Sequence, residues 1–198
     1  FGQISAQRVA AMARDAEEFT TGSRRSFLEQ LVVRRELSDN FCLYEPRYDS
    51  LDAADNWAKK SIEEHRHDPR DYLYTRDEFE YADTHDPLWN AAQQEILHTG
   101  YLHNYLRMYW AKKIVEWTPS PEVALDTALY LNDSCQLDGR DPNGYTGIMW
   151  SVAGVHDRAW AERPVFGKLR YMNYNGCRRK FDVDAYIASV AERFGKRG

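Results

Sequence analysis

The segment 101–117 holds the residue types best suited to chemistry. At helical periodicity His103, Arg107, Trp110, Ile114 and Trp117 share one face, with Asn104 and Met108 on the adjoining one. Trp110 and Trp117 then lie two turns apart, about 10.5 Å along the axis. The plain reading of two indoles at this spacing is core packing. The chemical reading is that oxidisable rings, with a cation and an amide beside them, border a redox cofactor. Arg107 on an otherwise aromatic face needs an anionic partner or a path to water. The turn-forming loop 137–144 contains a candidate, Asp138, followed by Gly139 and Arg140. It lacks the oxygen spacing and terminal Glu of a calcium loop, which leaves a solvated connection or a ligand loop in which Asp138 answers Arg107.

A second feature is a local reversal of charge. Between 164 and 181 stand Lys168, Arg170, Arg178, Arg179 and Lys180, with no Asp or Glu and with Phe166, Tyr171, Tyr174 and Phe181 interleaved. This is either a solvated basic loop or a phosphate-contacting surface with rings free to stack. The histidines suggest no metal: His65 and His67 are two apart and face different ways on a helix. No His-Glu-x-x-His pattern, nucleophile elbow, P-loop or dinucleotide fingerprint occurs.

The elements that must position these residues are helical. Ser5 caps a helix running to about Phe19 and stopping near Gly22, and Ser23 opens another with Phe27, Leu28, Leu31, Val32 and Leu37 as its buried stripe. A third helix spans 49–67. Thr75 to Glu78 form a capping box, Asp86-Pro87 starts a helix closed by Gly100, and 101–117 follows. Ser120-Pro121 starts a helix to about Asn132. A loop covers 133–147, a short helix 148–155, an irregular stretch 162–181, and Asp182 caps a last helix. Only 165–172 carries a signal for extended structure. The expectation is an all-α domain with long irregular loops.

The chain has 198 residues, 43% of them apolar, which suits one domain, or at most two small ones. No apolar run approaches the about 20 residues that span a bilayer, so a soluble protein with no membrane partner is expected. With 26 Lys plus Arg against 31 Asp plus Glu the net charge is -5, so nucleic-acid contact must come from a local basic patch. Three scattered cysteines favour a reducing, intracellular compartment over a disulfide framework or zinc site. The opening Phe1-Gly2-Gln3-Ile4-Ser5 has neither an initiator Met nor a signal peptide, and reads as a fragment.

Several motifs in order carry a resemblance: Tyr101-Leu-His-Asn-Tyr-Leu-Arg-Met-Tyr-Trp-Ala-Lys-Lys-Ile-Val-Glu-Trp117, Tyr130-Leu-Asn-Asp133, Leu137-Asp-Gly-Arg-Asp-Pro-Asn-Gly144, Gly154-Val-His-Asp-Arg-Ala-Trp160 and Arg163-Pro-Val-Phe-Gly-Lys-Leu-Arg-Tyr-Met-Asn173. Together they resemble the FAD-binding helical domain of class II cyclobutane pyrimidine dimer photolyases, over nearly the whole chain and most specifically over 101–181. The resemblance implies a multi-helical photolyase/cryptochrome fold across 1–198, binding FAD and acting as a lyase on UV-damaged DNA by light-driven electron transfer to a flipped-out dimer. A monomer is expected.

The same resemblance implies roles. Arg107 and Asp138 bracket the flavin, Gly139 and Arg140 continue its loop, and Asn104 and Arg34 join the cofactor set. Asn132 stands beside the flavin N5. Trp110, Trp89 and Trp117 relay electrons, with the place of Tyr74 open. Met108 and Trp150 line the lesion pocket, Arg158, Trp160 and Arg170 enter the DNA bubble, and Arg178, Arg179 and Lys180 extend the basic surface. Two departures stand out. Gln30, in Ser26-Phe-Leu-Glu-Gln-Leu-Val-Val-Arg-Arg35, replaces an expected lesion-contacting Glu and cannot carry its charge or proton. Phe1-Gly2 matches the tail of a flavin-phosphate motif whose first half, with an amino-terminal α/β antenna domain, is expected outside this chain. The alternative is a cryptochrome-like flavin photoreceptor without repair, and a weaker one a helical DNA-binding module without cofactor.

Overall fold

A computed structural model describes residues 3–195, and the phosphate-motif reading of Phe1-Gly2 lies outside them. Eleven α-helices follow one another among these residues: α1 (Ala6–Asp15), α2 (Thr21–Leu28), α3 (Arg35–Tyr44), α4 (Asn56–Glu64), α5 (Arg76–Glu80), α6 (Pro87–Thr99), α7 (Asn104–Glu116), α8 (Pro121–Cys135), α9 (Pro142–Ala153), α10 (Tyr174–Arg178) and α11 (Val183–Phe194). A π-helical segment, Glu29–Arg34, joins α2 to α3 without a break, and a 3-10 turn spans Leu51–Ala53. The only β pairing among the described residues is an isolated bridge between Arg163 and Gly167. The fold class is all-α.

The caps explain the sharpest boundaries. Asp86 accepts from Leu88 and Trp89 N–H at 2.8 and 3.0 Å, Pro87 fills the first turn, and Gly100 closes α6 at φ 67°. Thr75 and Glu78 form the reciprocal box that starts α5. Ser5, Ser120 and Asp182 cap their helices as their positions suggest.

Other boundaries differ from expectation. α1 stops at Asp15 rather than near Phe19. Thr20, not Ser23, caps α2 by accepting Ser23 N–H at 3.1 Å, so Gly22 lies inside the helix instead of ending one. The 49–67 helix begins only at Asn56. The helix expected from Tyr101 begins at Asn104, because His103 accepts the Tyr105 N–H and caps it. α8 runs one turn past Asn132. The 133–147 loop is mostly helix, since Asp141-Pro142 repeats the cap-and-proline signature of Asp86-Pro87 and starts α9 six residues early. Within the expected irregular stretch, Asn173 caps α10. The proposed stripe of α2 and α3 is not buried: Phe27, Val32 and Leu37 are 46%, 45% and 40% exposed, and Leu28 and Leu31 are partly so.

The core centres on α7, which is covered by α6, α8 and α9, while α9 also packs on α3 and α11 on α6. Lys112 is wholly enclosed there, donating Nζ to the Ser151 carbonyl at 2.6 Å. Burial pushes its ammonium down to about 7. The unfolded chain therefore binds a proton that the native state lacks between about 7 and 10.5, and stability rises with pH across that window. Thermal unfolding should show this rise, and Lys112→Met should flatten it; an unchanged slope in the variant would refute the assignment.

Candidate functional site

The first turns of α7 expose Asn104 and half-expose Arg107, just where the 137–141 loop returns from α8. Arg107 donates Nη1 and Nη2 to Asp138 Oδ2 and Oδ1 at 2.8 and 2.7 Å, a bidentate fork. Burial pushes the Asp138 carboxyl up, but the hydrogen bonds and charge of Arg107 outweigh it and hold the group below the usual carboxylate range. With Gly100, Leu102, Asn104 and Leu137, the pair lines a cavity of about 330 Å³.

At the end of α8, which leads into this loop, buried polar atoms are left without partners. Asn132 is fully buried and donates Nδ2 to Asp133 Oδ1 at 2.9 Å, yet its Oδ1 accepts nothing. Gln136, one turn on, is 6% exposed with both amide atoms unpartnered, and Arg107 Nε is likewise free. Each orphan costs about 1–3 kcal/mol, so their concentration points to a ligand that completes them. The orphaned atoms are donors on Arg107 and Gln136 and acceptors on Asn132 and Gln136. The one signal for Gln136 in the sequence is its spacing of four from Asn132.

Asp133 organises the loop. It accepts Asn132 Nδ2, the Arg140 N–H at 3.0 Å and the Tyr145 hydroxyl at 2.9 Å. Two glycines allow this closeness: a Cβ on Gly144 would sit 2.7 Å from Asn132 Nδ2, and one on Gly139 2.8 Å from the carbonyls of Asn132 and Asp133. Arg140 is exposed in the left-handed region at φ 65°. Arg34, in the π segment, is exposed and lies 3.6 Å from Glu29. Neither lines the Arg107 cavity.

One turn beyond Arg107 a row of indoles begins. Trp110 and Trp89 stack with centroids 6.2 Å apart and planes 7° from parallel, and Trp89 meets Trp117 edge-on at 6.4 Å. Their polar edges are tied: Trp89 Nε1 donates to the Trp110 carbonyl at 3.0 Å, and Trp110 Nε1 to Gln93 Oε1 at 2.9 Å. Trp110 and Trp89 are fully buried and Trp117 is 4% exposed, so these rings are part of the core. Trp117 continues to His85 at 4.7 Å and to half-buried Tyr74 at 5.9 Å.

On another side of α9, four of the expected DNA-facing residues assemble. Arg170 donates Nε and Nη2 to Asp157, both at 3.0 Å, and its guanidinium lies 4.1 Å from the Trp160 ring and 5.3 Å from the Trp150 ring. Arg158 covers Trp160 at 4.8 Å. Asp157 was not singled out in the sequence, yet it holds this cluster. Met108 is half-buried and Gln30 is exposed on the π segment. Arg178, Arg179 and Lys180 are exposed, but Arg178 faces Asp184 at 3.4 Å and Lys180 lines a separate cavity with Tyr105 and Tyr186. The interleaved rings are not free to stack: Phe166 is 2% exposed against Tyr171, and Tyr174 and Phe181 pack on the core. No cluster of metal-ligating side chains and no helix long and apolar enough to cross a membrane occurs among the described residues.

No protein-family model matches the chain. Individual relatives do. The chain is 59% identical over 196 residues to a deoxyribodipyrimidine photo-lyase of Oryza sativa subsp. japonica, covering 99% of this chain and 39% of that protein. Identity is 56% over 190 residues to the protein of that name from Arabidopsis thaliana, covering 96% and 38%, and 54% over 190 residues to that of Methanothermobacter thermautotrophicus, covering 96% and 41%. The chain thus spans about two fifths of the length of the curated relatives it matches. The chain is thus similar, along nearly its whole length, to part of proteins named deoxyribodipyrimidine photo-lyase from plant and archaeal sources.

Proposed function

We propose that this chain is the flavin-binding, catalytic part of a class II photolyase that uses light to repair cyclobutane pyrimidine dimers in UV-damaged DNA. The observation that carries the reading is the row Trp110, Trp89, Trp117, starting one turn along α7 from the Arg107–Asp138 pair. When bound, FAD would supply the light-excited electron that opens the dimer. The chain's own residues bind, orient and connect. Arg107, Asp138 and Asn104 form the wall that holds the isoalloxazine, and Asn132 and Gln136 offer it the missing hydrogen-bond partners. A fixed guanidinium there favours an anionic ring. The indoles, with successive centroids 6.2 and 6.4 Å apart, would pass electrons from that wall to Trp117.

The cluster of Trp150, Trp160, Arg158 and Arg170 suits a duplex from which a dimer has been extruded. Unstacking is least costly at a damaged pair, and inserted side chains occupy the gap. Gln30 retains hydrogen-bonding capacity toward the lesion without a carboxyl's charge or proton.

The test is direct: the intact natural protein should restore thymines in dimer-containing DNA under blue light and not in the dark, and equal restoration in both would refute the proposal. Trp110→Phe should slow flavin photoreduction by about tenfold or more, equivalent to 1.4 kcal/mol in the barrier, while leaving repair by pre-reduced enzyme largely intact. Equal loss of both would remove the relay role. Arg170→Ala should weaken lesion binding by about 1–3 kcal/mol and flatten its salt dependence; an unchanged dissociation constant and slope would take Arg170 off the DNA surface.

A further inference from the structure

From the last turn of α4 and the residues after it, Ser61, His65 and Asp68 grip a tight hairpin spanning 160–168. Arg163 and Gly167 exchange backbone hydrogen bonds at 3.0 and 2.8 Å, and the Trp160 N–H donates to the Lys168 carbonyl at 2.8 Å. The turn between the arms is strained: Val165, a β-branched residue, sits in the left-handed region at φ 68°. Such a conformation persists only where surrounding contacts over-determine it. Here Ser61 Oγ accepts the Lys168 N–H at 2.7 Å, and Asp68 Oδ2 accepts the Val165 N–H at 2.8 Å. Gly167, at φ 51°, completes the fit, since a Cβ there would collide with Ser61 Oγ and His65 Cδ2.

His65 closes the grip. Its side chain is 16% exposed, with Nδ1 2.6 Å from Asp68 Oδ2 and Nε2 3.1 Å from Oε1 of Glu162, on the first arm of the hairpin. An ionised carboxylate only accepts, and a neutral imidazole donates from one nitrogen. Both contacts are therefore hydrogen bonds only when the ring is an imidazolium. The bond to Asp68 outweighs the cost of burial and, with the one to Glu162, holds the imidazole above its ordinary value. Two cations stand further out: Lys168 Nζ lies 3.8 Å from Glu162, and Arg70 donates to the Asp68 carbonyl at 2.7 Å.

Trp160 starts the first arm, Arg170 follows the second by two residues, and the guanidinium rests 4.1 Å from the indole ring. We infer that His65 is a positioning residue for this DNA-facing cluster: bridging Asp68 and Glu162 as an imidazolium, it sets the hairpin that presents Trp160 and Arg170 to the duplex. The inference rests on the reading that the cluster enters the gap left by an extruded dimer. Loss of the ring proton removes one donor, and with it the longer link, to exposed Glu162. The arm that carries Trp160 is then no longer tied to α4. Lesion affinity supplied in this way is present in full below the ordinary histidine value of 6.5 and is lost as pH rises through the raised one.

The experiment measures dark binding of the intact natural protein to a dimer-containing duplex from about pH 6 to about pH 9 at fixed ionic strength. Two variants are compared with it: His65→Gln, which cannot bridge both acids, and Glu162→Gln, at an exposed position that leaves Asp68 and the turn in place. At the acid end each should bind about three- to fivefold more weakly than wild type, the scale of one partly exposed ion pair. At the alkaline end all three should converge. Lys112, which changes charge at about 7 and lies 5.0 Å from the Trp150 ring, is common to the three proteins and cancels in the comparison. Parallel profiles, whether superimposed or offset by one factor at every pH, overturn the role of His65. Trp160→Ala separates this role from the reading beneath it: the change should itself weaken lesion binding, and His65→Gln added to it should cost nothing more. A full further loss in that background overturns the route through Trp160. Lesion binding indifferent to Trp160→Ala would instead take the ring off the DNA surface, and the role of His65 with it.

Discussion

The carboxylate of Asp86 is the joint on which the rest of the domain turns. One oxygen caps α6 through Leu88 and Trp89, and the other accepts the Tyr109 hydroxyl from the middle of α7. Burial drives the Tyr109 phenol upward, the acid beside it adds to the shift, and the hydroxyl stays a donor. Because the cap fixes where α6 begins, it also fixes where Trp89 stands. The Trp89 indole then reaches the Trp110 carbonyl, and the Trp110 indole reaches Gln93. Two helices are thus locked in register by polar contacts inside an apolar core, where a slip would leave several of those groups unpaired.

That lock gives the indoles a double character. They fill the centre of the domain as large apolar groups, and their near-parallel stacking and edge contact form a continuous aromatic path. Packing and conduction need not compete as explanations, since a ring rigid enough to pack well is also held at a constant distance from its neighbour. The cavity wall follows from the same helix. Arg107, one turn before Trp110, reaches out to Asp138 on the loop that Asp133 and Gly139 hold close to α8.

Just beyond the end of α9, Asp157 plays for Arg170 and Trp160 the part that Asp138 plays for Arg107. Burial pushes the Asp157 carboxyl up, but Arg170 and the neighbouring donors hold it below the usual range. An acid holds a guanidinium in one orientation in each case. The two clusters differ in setting: one lines a cavity, and the other presents stacked cations and rings at the surface.

Much of this was legible in residue order. Asp86-Pro87, Gly100, the Thr75–Glu78 box and the i, i+4, i+7 placement of Arg107 and Trp110 are local signals, because a cap or a helical face depends on neighbours within one or two turns. The pairing of Arg107 with Asp138 could be anticipated because a cation on an aromatic face demands an anion. Four things needed the tertiary structure. Trp89 stacks on Trp110 only because α6 crosses α7. Asp157 gathers Arg170 and Trp160 across a loop. Gln136 is stranded by burial rather than by any pattern, and Phe27, Val32 and Leu37 form an apolar stripe that no element among the described residues covers. Periodicity tells which side chains share a face. What that face meets depends on contacts between residues far apart in the chain, and no local rule contains them.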